Sequence, residues 1–270
     1  MALLEIADGV RVEHVVTGEG EPLLLVMGTG GSMPLWGPVM EPLAAGHRVI
    51  AYDHRGLGGS PPGDGEVSMR SLAADAAAVL DALEIERAHV LGWSLGSAAS
   101  QELAINHPDR VASLVLYCTW GKPDGFMRAV VTALLAAWEY GTPEERLTAT
   151  GLCFSPEGLD SPDFEAMYEQ FGQGFPQTEG QRRTMVAQIQ ADLAHDTLDR
   201  LDQIAAPTLV IAGEQDVFTA ARLGRAVADG IPDSNFVLFE GPGSAHAMHL
   251  ERTEEWLGHV LGHLDAVRVA

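Results

Sequence analysis

The feature that most constrains the fold is a regular alternation between short apolar segments and longer segments with helical spacing. Residues 22–28 read Pro-Leu-Leu-Leu-Val-Met-Gly, an unbroken apolar run typical of a strand covered on both faces. Residues 68–83 instead carry Leu72, Val79 and Leu83 on one helical stripe. This alternation predicts an α/β protein with a mostly parallel central sheet flanked by helices.

Seven strands are predicted, at 10–16, 22–28, 48–52, 88–91, 112–118, 208–212 and 235–239. The first of them alternates apolar and polar residues, which favours a half-exposed edge strand. Helices are predicted at 68–83, 95–106, 220–230 and 251–264.

The alternation stops between residues 121 and 202. This stretch contains no convincing strand and several short amphipathic patterns, and nine of the 17 aromatic residues lie between Trp120 and Phe175. An all-helical insertion between two sheet strands commonly covers a pocket. We therefore predict a core domain of residues 1–120 and 203–270 and a helical lid, or cap, domain of residues 121–202.

Size and charge narrow the possible partners. A chain of 270 residues fits one core with an insertion. Sixteen Lys and Arg against 38 Asp and Glu give a net charge of −22, which repels nucleic acids and anionic membranes. The start of the chain lacks a basic, apolar leader, and its longest apolar stretch, 129–138, is too short to span a bilayer. We expect a cytoplasmic protein with free thiols at Cys118 and Cys153. No sequence pattern indicates the oligomeric state.

The strongest local signal is the segment Gly92-Trp93-Ser94-Leu95-Gly96, between an apolar strand and a helix. A nucleophile on so tight a turn requires small residues two positions to either side. The turn would lift the Ser94 hydroxyl above the sheet and direct the Leu95 backbone N–H, at a helix N-terminus, towards a developing oxyanion. Ser94 is therefore the predicted nucleophile.

A serine hydroxyl needs a base to remove its proton. His246 follows the last predicted strand in a small-residue loop, and we predict it as the general base. His249 is an alternative, although its position favours the start of the next helix. The His-x-x-His spacing resembles part of a metal site, but no third ligand with suitable spacing accompanies it, so no metal is expected.

The carboxylate that orients the histidine should follow an earlier strand. Asp216 lies in the loop after residues 208–212 and is the predicted acid, which would hold the imidazole tautomer. Glu214 is the alternative in the same loop, and Asp124 is a weak candidate after the preceding strand. The chain order is then Ser94, Asp216, His246.

A second oxyanion donor should lie in the segment Gly28-Thr29-Gly30-Gly31-Ser32, after the strand at 22–28. Its position favours the Thr29 backbone N–H. A glycine-rich turn of this kind can also bind phosphate, but the sequence motifs of the phosphate-binding loops are missing. No cofactor is expected.

With these segments the chain closely resembles the α/β-hydrolase superfamily, over residues 22–118 and 206–264. The turn Asp53-His54-Arg55-Gly56-Leu57-Gly58-Gly59-Ser60 resembles a structural turn of that family, and 212–216 and 246–251 resemble its acid and histidine segments. Two departures stand out: Met27-Gly28 replaces the usual His-Gly, whose histidine helps to order the oxyanion loop, and Ser97 replaces a glycine. The Val-Met-Gly loop is similar to methylesterase, enol-lactonase and cofactor-free haloperoxidase-like members.

The resemblance implies a serine hydrolase that cleaves an ester, lactone or thioester of an apolar or aromatic small molecule through an acyl-enzyme on Ser94. Residues expected near the substrate are Gly28, Trp93, Cys118, Trp120, Trp138 and Phe171. For Trp93 and Cys118, packing beside the turn is the plainer role.

Three alternatives remain open, since a fold does not determine its chemistry. The same three residues can cleave C–C bonds or serve lyase or cyclase chemistry. The chain can instead be a ligand-binding, receptor-like protein with slow turnover. A third reading is a metal-free perhydrolase that depends on a carboxylic acid.

Overall fold

The computed structural model describes residues 2–7 and 9–269. Its eight strands form one sheet. They are β1 Ala2–Ala7, β2 Val10–Thr17, β3 Glu21–Val26, β4 His47–Tyr52, β5 Ala88–Trp93, β6 Val111–Tyr117, β7 Thr208–Gly213 and β8 Ser234–Phe239. The α-helices are α1 Gly37–Ala44, α2 Met69–Ala82, α3 Leu95–Asn106, α4 Gly125–Tyr140, α5 Pro143–Gly151, α6 Pro156–Leu159, α7 Phe164–Gln173, α8 Glu179–Ala194, α9 Ala221–Gly230, α10 Met248–Glu251 and α11 Thr253–Asp265.

The strand order is β1-β2-β4-β3-β5-β6-β7-β8, and all neighbours from β4 to β8 are parallel. The mostly parallel sheet flanked by helices is therefore confirmed. Strands β5, β6 and β7 are buried throughout, because helices cover both faces of the sheet. Parallel strands bring their carboxyl ends to one edge of the sheet, and the loops that follow β3, β5, β7 and β8 meet there.

The edge of the sheet differs from the prediction. The strand predicted at 10–16 is β2, which pairs with β1 on one side and β4 on the other. The strand at this edge is β1, where no strand was predicted. Within β2 only Val12 is buried, and Arg11 and Val16 are exposed, so part of the strand faces solvent. A sequence that alternates apolar and polar residues is therefore expected in such a strand whether or not it has a second neighbour.

The chain leaves the sheet after β6 and returns at β7, and helices α4 to α8 occupy the segment between them. We call these five the inserted helices. No strand occurs between β6 and β7 among the described residues, as predicted. Polar caps define their starts: the Asp124 carboxylate accepts the Met127 N–H at 2.8 Å, and Thr178 caps α8 with a reciprocal bond from Gln181. Helices α4 and α8 pack against each other.

No α-helix within residues 2–7 and 9–269 has the length and apolar character required to cross a membrane.

Candidate active site

Ser94 sits in a strained turn between β5 and α3. Its φ of 55° and ψ of −120° lie in a region that non-glycine residues rarely adopt. A Cβ on Gly96 would overlap the Val26 carbonyl, and a Cβ on Gly92 would overlap the carbonyl of Gly96. The turn is fixed further by the Ser94 N–H, which donates to the Tyr117 carbonyl at 2.9 Å. Close contact with backbone therefore explains why both positions are glycine, in line with the predicted need for small residues there.

The turn presents Ser94 beside two free backbone donors. Ser94 is half-buried, whereas its neighbours on both sides are buried. The Leu95 N–H, at the start of α3, and the Thr29 N–H, in the loop after β3, donate to no acceptor among the described residues. Free N–H groups at a helix start are suited to binding an anionic oxygen. Gly28 comes close to the turn, since a Cβ there would stand 3.3 Å from the Ser94 Cβ.

Asp216 and His246 form a buried pair. The His246 Nδ1 lies 2.8 Å from Asp216 Oδ2, and both residues are at most 5% exposed. Asp216 also accepts the N–H of Phe218 at 2.8 Å and the N–H and hydroxyl of Thr219 at 3.0 and 2.7 Å. Burial alone would raise the pKa of Asp216, but the His246 charge and these hydrogen bonds hold it at about 2. The carboxylate is thus ionised and oriented towards the imidazole.

The loop that carries His246 is held through its backbone. The His246 carbonyl accepts the indole N–H of Trp93 at 3.0 Å, the hydroxyl of Tyr117 at 2.8 Å and the thiol of Cys118 at 3.5 Å. The imidazole also packs edge-on against Phe218. Residues at the ends of β5 and β6 therefore position the histidine that follows β8.

The three alternatives for the base and the acid, His249, Glu214 and Asp124, form their polar contacts with residues other than His246. His249 lies in α10, its Nε2 contacts the Leu35 carbonyl at 3.1 Å, and burial lowers its pKa to about 4. Glu214 is exposed and accepts the Gly241 N–H at 2.9 Å. Asp124 caps α4 and pairs with Arg222 at 2.6 Å. None of the three is hydrogen-bonded to His246 in the part of the chain that the structure describes.

Ser94 and His246 line one cavity of about 580 Å³, counting its opening to solvent. No hydrogen bond joins their side chains among the described residues; such contacts often tighten only when substrate binds. Apart from Ser94, His246 and the loop after β3, the walls are mostly apolar. The lining comprises Gly28, Thr29, Gly31, Leu35, Trp93, Ser94, Trp120, Met127, Val131, Leu134, Thr150, Cys153, Phe175, Met185, Asp192, Phe218, Thr219 and His246.

Three residues expected near the substrate are not among the lining residues: Cys118, Trp138 and Phe171. Cys118 lies behind His246, where its thiol faces the His246 carbonyl. Phe171 packs between Phe154 and Phe175, and Trp138 packs against Phe175, so both support the wall rather than form it. An apolar stripe shows which helix face is buried but not how many layers separate it from the cavity.

Ligand-type atoms of Cys118, Asp216 and His246 lie within 4.8 Å of one another. A metal would require the thiolate, yet burial and the nearby Asp216 charge raise the pKa of Cys118 well above its ordinary value. The Asp216 oxygen and His246 Nδ1 are already bound to each other. The donor set therefore does not suit a metal ion.

Two buried polar residues that α8 contributes to the site were not predicted, Gln188 and Asp192. Asp192 lines the cavity and is 4% exposed, and Gln188 is fully buried beside it. Burial raises the pKa of Asp192 to about 7, although a hydrogen bond from Thr29 opposes the rise. Both stand in a largely polar helix sequence, where nothing distinguishes a buried polar residue from an exposed one.

Comparison with known proteins identifies the family of the chain. The family model of the alpha/beta hydrolase fold matches residues 21–253. The chain is 36% identical over 237 residues to the protein provisionally named carbamate hydrolase RutD of Azorhizobium caulinodans, covering 87% of each chain. It is 33% identical over 257 residues to the provisionally named non-heme bromoperoxidase BpoC of Mycobacterium tuberculosis, covering 91% of this chain and 94% of that one.

A solved structure described as a hydrolase from Pseudomonas aeruginosa superposes with a TM-score of 0.87 at 29% identity and covers 97% of both chains. The family match spans the strands that carry Ser94, Asp216 and His246. The chain therefore belongs to the α/β-hydrolase family.

Proposed function

We propose that this enzyme of the hydrolase family is a serine hydrolase that cleaves the ester, lactone or carbamate carbonyl of a small apolar or aromatic molecule. The observation that supports this most strongly is the cavity that Ser94 shares with His246, whose imidazole is paired with Asp216, next to two free backbone N–H groups. A nucleophile, an oriented base and oxyanion donors are the parts that acyl transfer requires.

In the proposed first step, Ser94 Oγ attacks the substrate carbonyl while His246 Nε2 accepts the hydroxyl proton. Asp216 stabilises the imidazolium that forms, since its carboxylate stays ionised against Nδ1. The Leu95 and Thr29 N–H groups bind the oxyanion of the tetrahedral intermediate. His246 then protonates the leaving group, which leaves an acyl-enzyme on Ser94.

In the second step, a water molecule transfers a proton to His246 and attacks the acyl-enzyme. Collapse of the second tetrahedral intermediate returns the proton to Ser94 and releases the acid. A thioester would follow the same course with a thiol as leaving group. No step needs a metal or an organic cofactor.

The cavity walls support the substrate class. Met127, Val131 and Leu134 of α4 and Met185 of α8 face the same space as Trp120. We propose that residues 121–202 act as a lid domain on the core of 1–120 and 203–270, because four of these five residues belong to the inserted helices. The relation to RutD brings carbamates into the proposal beside esters and lactones.

The test combines fluorophosphonate labelling, read by intact mass and peptide mapping, with turnover of a p-nitrophenyl ester series. Labelling confined to Ser94 and loss of turnover in Ser94→Ala are expected. Ser100→Ala is the matched control, because Ser100 lies in the helix that follows Ser94 but its hydroxyl donates to the Gly96 carbonyl at 2.7 Å. That variant should be labelled and active.

Labelling elsewhere, or ester turnover that survives Ser94→Ala, would exclude the mechanism. A folded wild-type protein with neither labelling nor turnover would favour C–C cleavage, lyase or cyclase chemistry, or a receptor-like role. If the enzyme hydrolyses aryl carbamates faster than the matching esters, carbamates are the preferred substrate class.

The similarity to BpoC, which is provisionally named a non-heme bromoperoxidase, makes a peroxide-dependent activity the second candidate. In it, a carboxylic acid such as acetic acid would acylate Ser94 with loss of water, and hydrogen peroxide would then cleave the seryl ester, releasing a peracid and restoring the Ser94 hydroxyl. Acetate-dependent bromination with peroxide and bromide, abolished in Ser94→Ala, is the assay. Its absence in an enzyme that hydrolyses esters would rule this candidate out.

A further inference from the structure

Helix α8 makes two side-chain hydrogen bonds to the loop that carries the proposed oxyanion donor Thr29. The Thr29 hydroxyl donates to Asp192 Oδ2 at 2.8 Å, and the Gly30 N–H donates to Gln188 Oε1 at 2.7 Å. These bonds join positions about 160 residues apart in sequence. They connect an inserted helix directly to the catalytic edge of the sheet.

The positions of Gln188 and Asp192 on α8 allow both side chains to reach the loop. Positions 188 and 192 are one helical turn apart and therefore share one face of α8. Helix and loop approach so closely that a Cβ on Gly30, whose φ is 70°, would overlap the Met185 side chain. Asp192 and Gln188 are at most 4% exposed, so water does not compete for these bonds.

The arrangement is costly for the fold. Asp192 Oδ1 and Gln188 Nε2 have no hydrogen-bond partner among the described residues, although both are buried. An unpaired buried polar atom lowers the stability of the folded protein, because it gives up its hydrogen bond to water without replacing it. Apolar residues at both positions would avoid this cost, so the pair points to a role beyond stability.

The core supports the base of the loop but not its tip. His54 Nε2 lies 2.9 Å from the Met27 carbonyl, and the Met33 N–H donates to Asp53 Oδ1 at 2.7 Å. Between these anchors, side-chain bonds to Thr29 and Gly30 come only from α8 within the described residues. Position 27 is itself a methionine and offers no strong hydrogen-bonding group.

We propose that Asp192 and Gln188 are positioning residues that hold the oxyanion loop from α8, so that the Thr29 N–H is correctly oriented only when this helix is docked. The inference rests on the proposed function. Asp192 acts through Thr29 and need not touch the substrate. Loss of this support should mainly lower kcat, because oxyanion binding strengthens in the transition state.

The first test is a double-mutant cycle with Asp192→Leu and Thr29→Val, which keeps the Thr29 backbone N–H. Each single change should lower kcat on p-nitrophenyl acetate by about tenfold to a hundredfold with KM changed less than about threefold. The double variant should be no worse than the poorer single variant, because both changes remove the same bond. Asp192→Asn keeps an acceptor for the hydroxyl and should recover most of the lost kcat.

Gln188→Leu tests the second bond, with Gln190→Leu as its matched control. Gln190 is the same residue type on the same helix but is exposed. Amide hydrogen exchange over residues 27–36 reports the loop independently of turnover. Exchange there should accelerate in Gln188→Leu and Asp192→Leu and stay at the wild-type rate in Gln190→Leu, with thermal unfolding recorded to confirm that every variant is folded.

Additive losses in the cycle, or unchanged exchange in the loop, would overturn the proposal. So would a rise in KM for Asp192→Leu that Thr29→Val does not share, since Asp192 would then contact the substrate itself. An active wild type with unaffected variants disproves the positioning role alone. An inactive wild type disproves the proposed function, and the exchange measurement still decides whether α8 holds the loop.

Discussion

The sheet core and the inserted helices contribute to the site in different ways. The core supplies Ser94, Asp216 and His246 from turns at strand ends, where strained backbone and close glycine contacts leave little freedom. The inserted helices supply apolar side chains and the Gln188–Asp192 pair from helix faces. Turns at strand ends thus fix the positions of the three proposed catalytic residues, whereas the inserted helices contribute through side chains that line the cavity and contact the oxyanion loop.

The largest effect is expected at the core. Asp216→Asn should lower kcat/KM by about 10³–10⁴, because an amide can stabilise the wrong imidazole tautomer. Ester turnover across pH measures this effect. Glu214→Gln, in the same loop but exposed, should stay within about threefold of wild type, and equal losses in the two variants would contradict the assignment of the acid.

The second-largest effect is expected on the free energy of unfolding, at Asp192 in the inserted helices. The pKa of Asp192 is raised from 3.8 to about 7 in the folded protein, so folding favours the protonated form. This stabilisation is fully present below about pH 4 and is lost as pH rises through about 7. Asp192→Asn should therefore gain about 4 kcal/mol relative to wild type between pH 4 and pH 8, measured by urea unfolding. The exposed Asp199→Asn should show no such gain, and a flat difference for Asp192→Asn would contradict the buried carboxyl.

The third prediction compares two glycines. Gly96→Ala should destabilise the protein by about 1–3 kcal/mol and lower turnover, because its Cβ would overlap backbone of the β3 segment. Gly125→Ala, at the start of α4, meets no atom within 4 Å and should change neither property appreciably. Thermal unfolding and ester turnover measured on both variants test this difference between the two regions.

The smallest effect concerns substrate choice. Val131→Phe narrows the cavity from α4 and should lower kcat/KM for a bulky aryl ester about tenfold while leaving p-nitrophenyl acetate nearly unchanged. Ala133→Phe, exposed on the same helix, is the control. Equal losses on both esters would mean that Val131 affects the reaction itself rather than the choice of substrate.

Much of the architecture was predictable because local patterns and tertiary structure agree. Helix α3 has the predicted bounds, and the covered strands were found from unbroken apolar runs. Strand β1 was not predicted, because its six residues are too weak a pattern to indicate a strand. The next strand, β2, was therefore taken as the edge of the sheet. The pocket was predicted only in part, because periodicity cannot separate a lining residue such as Trp120 from a supporting one such as Phe171.

The sequence alone determined the family, the strand–turn–helix around Ser94 and the order of the three proposed catalytic residues. These depend on local sterics and on motifs only a few residues long. Only the tertiary structure showed that Asp192 and Gln188 reach Thr29 and Gly30. The reason is physical: a hydrogen bond between residues about 160 positions apart depends on how a helix packs on the sheet, and local sequence carries no trace of that packing.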